Sequence, residues 1–204
     1  MVTARALQVF VRNPVPGSVK TRLIPALGAD GATRIYRHLL DHALDAAVAC
    51  SADVTVWVDG TPIADDLRTR LEHRGLASAV QCPGDLGVRM QHAIGEGLRR
   101  AERVVLIGSD CPEYSAAFID AAFAALDERD VVVGPAVDGG YVLIGARGPC
   151  PALFDDMPWS TPSLLAATRA RIARLGLRHA ELAPLRDIDD VDDLAWFPAL
   201  HAGS

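Results

Sequence analysis

Three short stretches carry side chains suited to phosphate and metal chemistry. The first is Arg12-Asn13-Pro14-Val15-Pro16-Gly17-Ser18-Val19-Lys20-Thr21-Arg22. Arg12, Lys20 and Arg22 concentrate positive charge there in an otherwise acidic chain. Arginine grips phosphate oxygens in a bidentate fork, and lysine adds a compact point charge. Pro14 and Pro16 stiffen the stretch, Gly17 permits close backbone approach, and loop N–H groups form anion-binding nests. The spacing is not that of a Walker A loop, because Gly17-x-x-Lys20-Thr21 lacks the first glycine and its spacer. A solvated basic loop is the plainer alternative. The second stretch is Gly108-Ser109-Asp110-Cys111-Pro112. Its acid suits a hard divalent cation bridging diphosphate oxygens, or else an Asx-turn or helix cap. The third, Gly134-Pro135-Ala136-Val137-Asp138-Gly139-Gly140-Tyr141, fits either a ligand packed on glycine or a tight hairpin turn.

Weaker signals accompany these. Gly84-Asp85-Leu86-Gly87 leads into a helix N-terminus, where backbone reads a base edge or holds an anion. Gln81 and this loop are the candidate base readers. The run Asp187-Ile188-Asp189-Asp190-Val191-Asp192-Asp193 stabilises a helix start in part. Asp189 is also a candidate second metal ligand. Trp159 either lines a pocket or packs at a helix entry. HExxH, GxSxG and Cys/His ligand clusters are absent from the sequence, and His38 and His42 read as surface residues.

The elements that must position these loops follow from periodicity. Strands are expected at Ala4–Val11, Asp53–Val58, Ala79–Cys82, Arg103–Ile107, Val131–Val133, Tyr141–Ile144 and Arg178–Leu182. Helices are expected at Asp30–Ala49, Thr61–His73, Val88–Arg100, Ser115–Leu126 and Ser160–Leu175, and from Asp190 to about Leu200. Thr61-Pro62, Ser115 and Thr161-Pro162 mark helix starts. Strand–helix alternation defines an α/β domain over 1–204 with a mostly parallel sheet, and Asp138-Gly139-Gly140 marks an antiparallel excursion. Ligands of such sheets sit outside the carboxyl ends of the strands, where all three stretches fall.

A chain of 204 residues, 50% hydrophobic and 23% charged, builds a core without disulfides or structural metal. A net charge of −6 argues against general nucleic-acid or anionic-membrane binding. Cys50, Cys82, Cys111 and Cys150 show no CxxC spacing and read as thiols in a reducing compartment. With neither a signal peptide nor a membrane-length apolar run in the sequence, a cytoplasmic location is expected, with a disordered end at His201–Ser204.

Six motifs occur in order. They are Pro14-x-Pro16-Gly17-x-Val19-Lys20-Thr21-Arg22-Leu23, Gly84-Asp85-Leu86-Gly87-x-Arg89-Met90, Gly108-Ser109-Asp110-Cys111-Pro112, Gly134-Pro135-x-x-Asp138-Gly139-Gly140-Tyr141, Trp159-Ser160-Thr161-Pro162 and Asp187-Ile188-Asp189. Together they resemble the GT-A-type glycosyltransferase-like family whose members are often labelled arsenosugar-biosynthesis glycosyltransferases. The resemblance runs from Ala6 to about Trp196. It implies the three-layer, Rossmann-like fold of nucleotide-diphospho-sugar transferases, with kinship to enzymes that attach guanylate to molybdopterin or phospholactate. It also implies nucleotide phosphates at Gly17, Lys20 and Arg22, and Mg²⁺ or Mn²⁺ at Asp110 completed by Asp189. Two departures stand out. Ser109-Asp110-Cys111 supplies one acid where GT-A enzymes usually carry Asp-x-Asp, and the Gly-rich nucleotidyltransferase loop is missing.

The expected activity is sugar transfer from a nucleotide-diphospho-sugar to a small-molecule acceptor. Lys20, Arg22 and Asp110 would serve the leaving diphosphate, and Asp138 would accept the acceptor's proton. Arg12, Pro16, Gly17, Gln81, Gly84, Asp85 and Gly87 complete the expected nucleotide site, and Gly139, Gly140, Tyr141 and Trp159 the sugar or acceptor pocket. The alternatives are guanylyl- or cytidylyl-type transfer from an NTP to a phosphorylated small molecule, and nucleotide binding without catalysis.

Overall fold

The computed structural model describes residues 3–198. Its strands are β1 (Thr3–Arg12), β2 (Asp53–Asp59), β3 (Ala77–Val80), β4 (Ala101–Ile107), β5 (Val131–Pro135), β6 (Tyr141–Ala146) and β7 (His179–Glu181). Its helices are α1 (Ile24–Ala49), α2 (Asp65–His73), α3 (Leu86–Leu98), α4 (Ala116–Ala125) and α5 (Leu164–Arg174). The seven strands form one sheet in the order β3-β2-β1-β4-β6-β5-β7. Only β6 runs antiparallel, paired with β4 on one side and β5 on the other. The fold is therefore the expected α/β, three-layer, mostly parallel type.

Alternation along the strands builds the layers. Leu7, Val9 and Val11 of β1 and Val105 and Ile107 of β4 join Tyr36, Leu40, Leu44, Leu67, Ile119 and Phe123 on one face. Ala6, Val104 and Leu106 point the other way, onto Met90, Ile94, Leu165 and Ile172. So α1, α2 and α4 cover one face, and α3 and α5 the other. Both faces of the central strands are buried, which is why β4 and β5 read as continuous apolar runs. A third cluster of Leu23, Ala32, Ile35, Leu39, Ile188 and Leu194 docks the C-terminal segment beside the start of α1.

Several boundaries differ from the sequence reading. The first helix begins at Ile24, with a non-helical break at Gly28. The second begins at Asp65, after a cis Thr61–Pro62 bond. There the Asn13 side chain accepts from the Ala64 N–H at 2.8 Å and donates to the Pro62 carbonyl. A tertiary contact thus sets a start that the local Thr-Pro signal placed earlier. The third begins at Leu86, capped by Asp85, which accepts from Val88 N–H at 2.9 Å. Ser115 caps α4 as expected. The fifth begins at Leu164, since Ser160 takes a positive φ and Thr161-Pro162 form a turn. The expected C-terminal helix is a 3₁₀ turn, Asp193–Trp196. The end of that expected helix and the expected disorder at 201–204 fall outside the described residues. No helix among the described residues is long and apolar enough to cross a membrane.

Candidate active site

A cleft of about 820 Å³ opens over the carboxyl ends of β1–β4 and is walled by the β5–β6 hairpin and the Trp159–Pro162 turn. Its floor starts where β1 ends. The Arg12 N–H donates to the Tyr36 hydroxyl at 2.7 Å, and that hydroxyl lies 2.9 Å from Ser109 Oγ. Tyr36, from α1, thereby ties the loop after β1 to the loop after β4. Burial pushes its phenol pKa up, so it stays a neutral hydroxyl. Val19 and Leu23 are fully buried on either side of Lys20 and pin the loop to the core. Lys20 sits between them in the left-handed region, at φ 45°, a conformation costly for a side chain with a Cβ.

That backbone aims the Lys20 ammonium at two carboxylates. It donates to Asp110 Oδ2 at 3.1 Å and to Asp189 Oδ1 at 3.2 Å, with its own side chain 7% exposed. Burial works against the charged amine, but Asp110 and Asp189 outweigh it and raise the pKa. Arg22 meets the other oxygen of Asp189 at 3.2 Å and remains largely exposed.

The acids arrive from three segments. Ile188, fully buried, anchors the C-terminal run, and its N–H donates to the Asp110 carbonyl at 3.2 Å. The Asp193 carboxylate accepts from the N–H groups of Asp189 and Asp190, and the Asp190 carboxylate from those of Asp192 and Asp193 at the start of the final 3₁₀ turn, so the run is tied largely to itself. Carboxylate oxygens of Asp138, Asp187 and Asp189 come within 4.8 Å of one another. Hard oxygen donors of this kind fit Mg²⁺ or Mn²⁺. Asp187 is pushed up to about 7, chiefly by burial and then by Asp110, Asp138 and Asp189. Sequence reasoning singled out Asp189 and passed over Asp187.

The cleft brings together Arg12, Lys20, Arg22, Gln81, Asp110, Asp138, Gly140, Tyr141, Trp159 and Asp189. Six other expected residues do not line it. Pro16 and Gly17 lie exposed on the outer turn of their loop. Gly84 packs on Val88, and Asp85 is occupied with its cap. Gly87 lets α3 approach Phe154 and Trp159, where an added Cβ would stand 2.6 Å from the Phe154 carbonyl oxygen. At Gly139 a Cβ would stand 2.2 Å from the Pro162 carbonyl oxygen, so that glycine serves chain packing. Tyr36, Asp59, Arg89, Ser109 and Asp187 line the cleft without having been singled out as site residues. The available signal for Asp59 was an acid ending a strand at its carboxyl edge.

The fold is that of nucleotide-diphospho-sugar transferases of GT-A type, and the chain's relatives are transferases. The chain belongs to the family described as "Uncharacterized protein conserved in bacteria (DUF2064)", whose model matches residues 40–161. A protein of Desulfovibrio desulfuricans G20, provisionally named a nucleotide-diphospho-sugar transferase, is 34% identical, with a TM-score of 0.86 over 94% of this chain and 85% of that one. Glucosyl-3-phosphoglycerate synthase of Mycobacterium tuberculosis, solved with Mn²⁺ and UDP, shares the fold at 13% identity and TM-score 0.58, over 95% and 75% of the two chains. A phosphoenolpyruvate guanylyltransferase of Sphaerobacter thermophilus is 30% identical over 120 residues. That match covers 58% of this chain and 56% of the relative, so it spans only a little over half of that protein.

Proposed function

We propose that the chain transfers a sugar from a nucleotide-diphospho-sugar to a hydroxyl of a small-molecule acceptor. The observation that carries this is the Lys20 ammonium, held between Asp110 and Asp189 at the floor of the cleft beside the three-carboxylate cluster. Charge grows on the diphosphate as the sugar–oxygen bond breaks, and fixed cations there favour the transition state most. Lys20 and Arg22 supply them, and Arg12 extends the positive rim. A Mg²⁺ or Mn²⁺ ion held by Asp187 and Asp189, with Asp138 in reach, would neutralise further phosphate charge when bound. The Asp138 Oδ1 accepts from the Gly140 N–H at 2.8 Å, and in this reading its second oxygen would take the acceptor's proton. Tyr141 and Trp159 form an amphipathic wall suited to a sugar or acceptor ring.

The acceptor side carries little positive charge of its own. Cleft-lining residues between Val137 and Leu164 include no Lys or Arg. Arg186, which also lines the cleft and follows Leu185 beside Ala136, is a cation that a phosphorylated acceptor could recruit, although its guanidinium stacks on the Trp196 ring at 4.3 Å. Nucleotidyl transfer is the second reading, favoured by the guanylyltransferase relative. In it, Lys20 and Arg22 would clamp departing pyrophosphate.

A turnover panel with Mn²⁺ decides between them. The protein would be incubated with nucleotide-diphospho-sugars, and separately with NTPs plus phosphorylated acceptors. Release of nucleoside diphosphate from a sugar conjugate, lost in Asp110→Asn, supports glycosyl transfer. Pyrophosphate release moves the assignment to nucleotidyl transfer. Nucleotide binding without turnover by either route would leave a binding protein.

A further inference from the structure

We infer that the β2–β3 end of the cleft is a guanine site, read by Asp59 and Arg89; this rests on the nucleotide reading above. Asp59 ends β2, and its Cα pairs with Arg12 across the parallel ladder. The base end therefore adjoins the phosphate loop. From β3 to β4 is three inter-strand steps, roughly 14 Å, a span suited to an extended nucleoside diphosphate whose phosphates lie at Lys20.

The polar groups at this end are already oriented. The Gln81 amide nitrogen donates to the Trp57 carbonyl at 3.0 Å, which turns its oxygen outward as an acceptor. Arg89 donates to that oxygen at 3.1 Å, to the Asp85 carbonyl at 3.3 Å and to Asp59 Oδ1 at 3.5 Å. Its second terminal nitrogen has no hydrogen-bond partner among the described residues, and neither has Asp59 Oδ2. Arg89 thus offers the cleft an N–H donor, and the neighbouring Asp59 carboxylate offers its oxygens as acceptors.

Guanine matches that pairing of a donor with a two-oxygen carboxylate. Its edge presents O6 as acceptor, then N1–H and the 2-amino group as donors. Cytosine presents the opposite set, one donor and two acceptors. Uracil matches at two positions and sets a carbonyl lone pair against a carboxylate oxygen at the third. Adenine presents N1 as acceptor and the 6-amino group as donor, so it meets Arg89 and one Asp59 oxygen but leaves the other oxygen unpaired. A base seated there covers the Asp59 carboxylate, itself 44% exposed, and a base that leaves those oxygens unpaired is disfavoured.

Isothermal titration of the full chain with GDP, IDP, XDP, UDP, CDP and ADP, in Mn²⁺ buffer, tests this. GDP is expected to bind at least about tenfold tighter than UDP, and about tenfold tighter than IDP, which lacks the 2-amino group. Asp59→Asn replaces one acceptor by a donor, so the preference should pass from GDP to XDP and UDP. That reversal also shows the variant is folded. Arg89→Leu, a second variant, should weaken GDP by about tenfold or more. UDP, CDP or ADP binding the unaltered chain as tightly as GDP would overturn the guanine site. So would a GDP preference that neither substitution changes. If no nucleoside diphosphate binds, the nucleotide reading itself falls, a result distinct from a wrong base.

Discussion

Lys20 and Asp189 lie 169 residues apart in the chain, yet the ammonium of one stands 3.2 Å from a carboxylate oxygen of the other. The same ammonium reaches Asp110 at 3.1 Å, so one side chain joins the loop after β1, the loop after β4 and the C-terminal run. Lys20→Ala should lower transfer by about 10²–10³-fold, the usual cost of removing a fixed group from a developing charge. Its stability cost should be small, about 1 kcal/mol, because Asp110 and Asp189 are each some two-fifths exposed and water can solvate them. Steady-state rates alongside thermal melts would separate the two effects. A large loss of stability with little loss of rate would make Lys20 a structural residue.

Asp187 gives the site a pH dependence with a definite sign. Its carboxyl is raised from 3.8 to about 7, so between these values the fold holds a proton that the unfolded chain has released. Stability from this group is complete below about pH 4 and is lost as pH rises through about 7. A cation binds the ionised carboxylate, so Mn²⁺ should add little to the melting temperature near pH 5.5 and clearly more near pH 8. Asp187→Asn should flatten the decline of the metal-free protein and abolish the Mn²⁺ increment. Equal Mn²⁺ stabilisation at both pH values would remove Asp187 from the cation site.

Much of this site was legible because a parallel sheet sends every βα loop to one edge. Arg12, Lys20, Asp110 and Asp138 each follow a recognisable strand, and all reach the cleft. What failed was local inference about spacing within loops. Gly87 and Gly139 looked like ligand contacts, but both serve chain packing, against Phe154 and Pro162. A glycine marks close approach without saying what approaches. Asp187 was overlooked although Asp187-Ile188-Asp189 alternates with period two. Once Ile188 is buried, its two neighbours share the opposite side. The start of α2 depended on Asn13, which lies 51 residues from Ala64 and leaves no local trace.

Tyr36 should act through the groups it holds. Its hydroxyl accepts from the Arg12 N–H and contacts Ser109 beside Asp110. Tyr36→Phe keeps the ring in the core and removes those bonds together with the hydroxyl's donation to the Arg12 carbonyl at 3.2 Å. The buried Arg12 N–H and Ser109 hydroxyl then lose a partner, at about 1–3 kcal/mol. Turnover should fall with little change in the pH profile, since the phenol stays neutral throughout the working range. A lost basic limb in the profile would instead mark Tyr36 as a proton donor.

Gly139 fixes how the β5–β6 turn meets α5. The residue has φ 93°, and an alanine Cβ would meet the Pro162 carbonyl oxygen at 2.2 Å. Its own carbonyl accepts from the Leu165 N–H at 2.9 Å, locking the β5–β6 turn onto the first turn of α5. Backbone cannot yield as a flexible side chain would, so Gly139→Ala must push the turn off the helix and break that bond. The expected cost is about 2–4 kcal/mol, a fall in melting temperature of roughly 5–15 °C. Asp138 and Gly140 flank the turn, so transfer should drop with it while nucleoside diphosphate affinity, set at the far end of the cleft, holds. Gly148→Ala is the control, because nothing lies within 4 Å of its Cβ position. Equal stability of the two variants would mean that the turn and α5 are not locked together, and that Asp138 is positioned by its own loop alone.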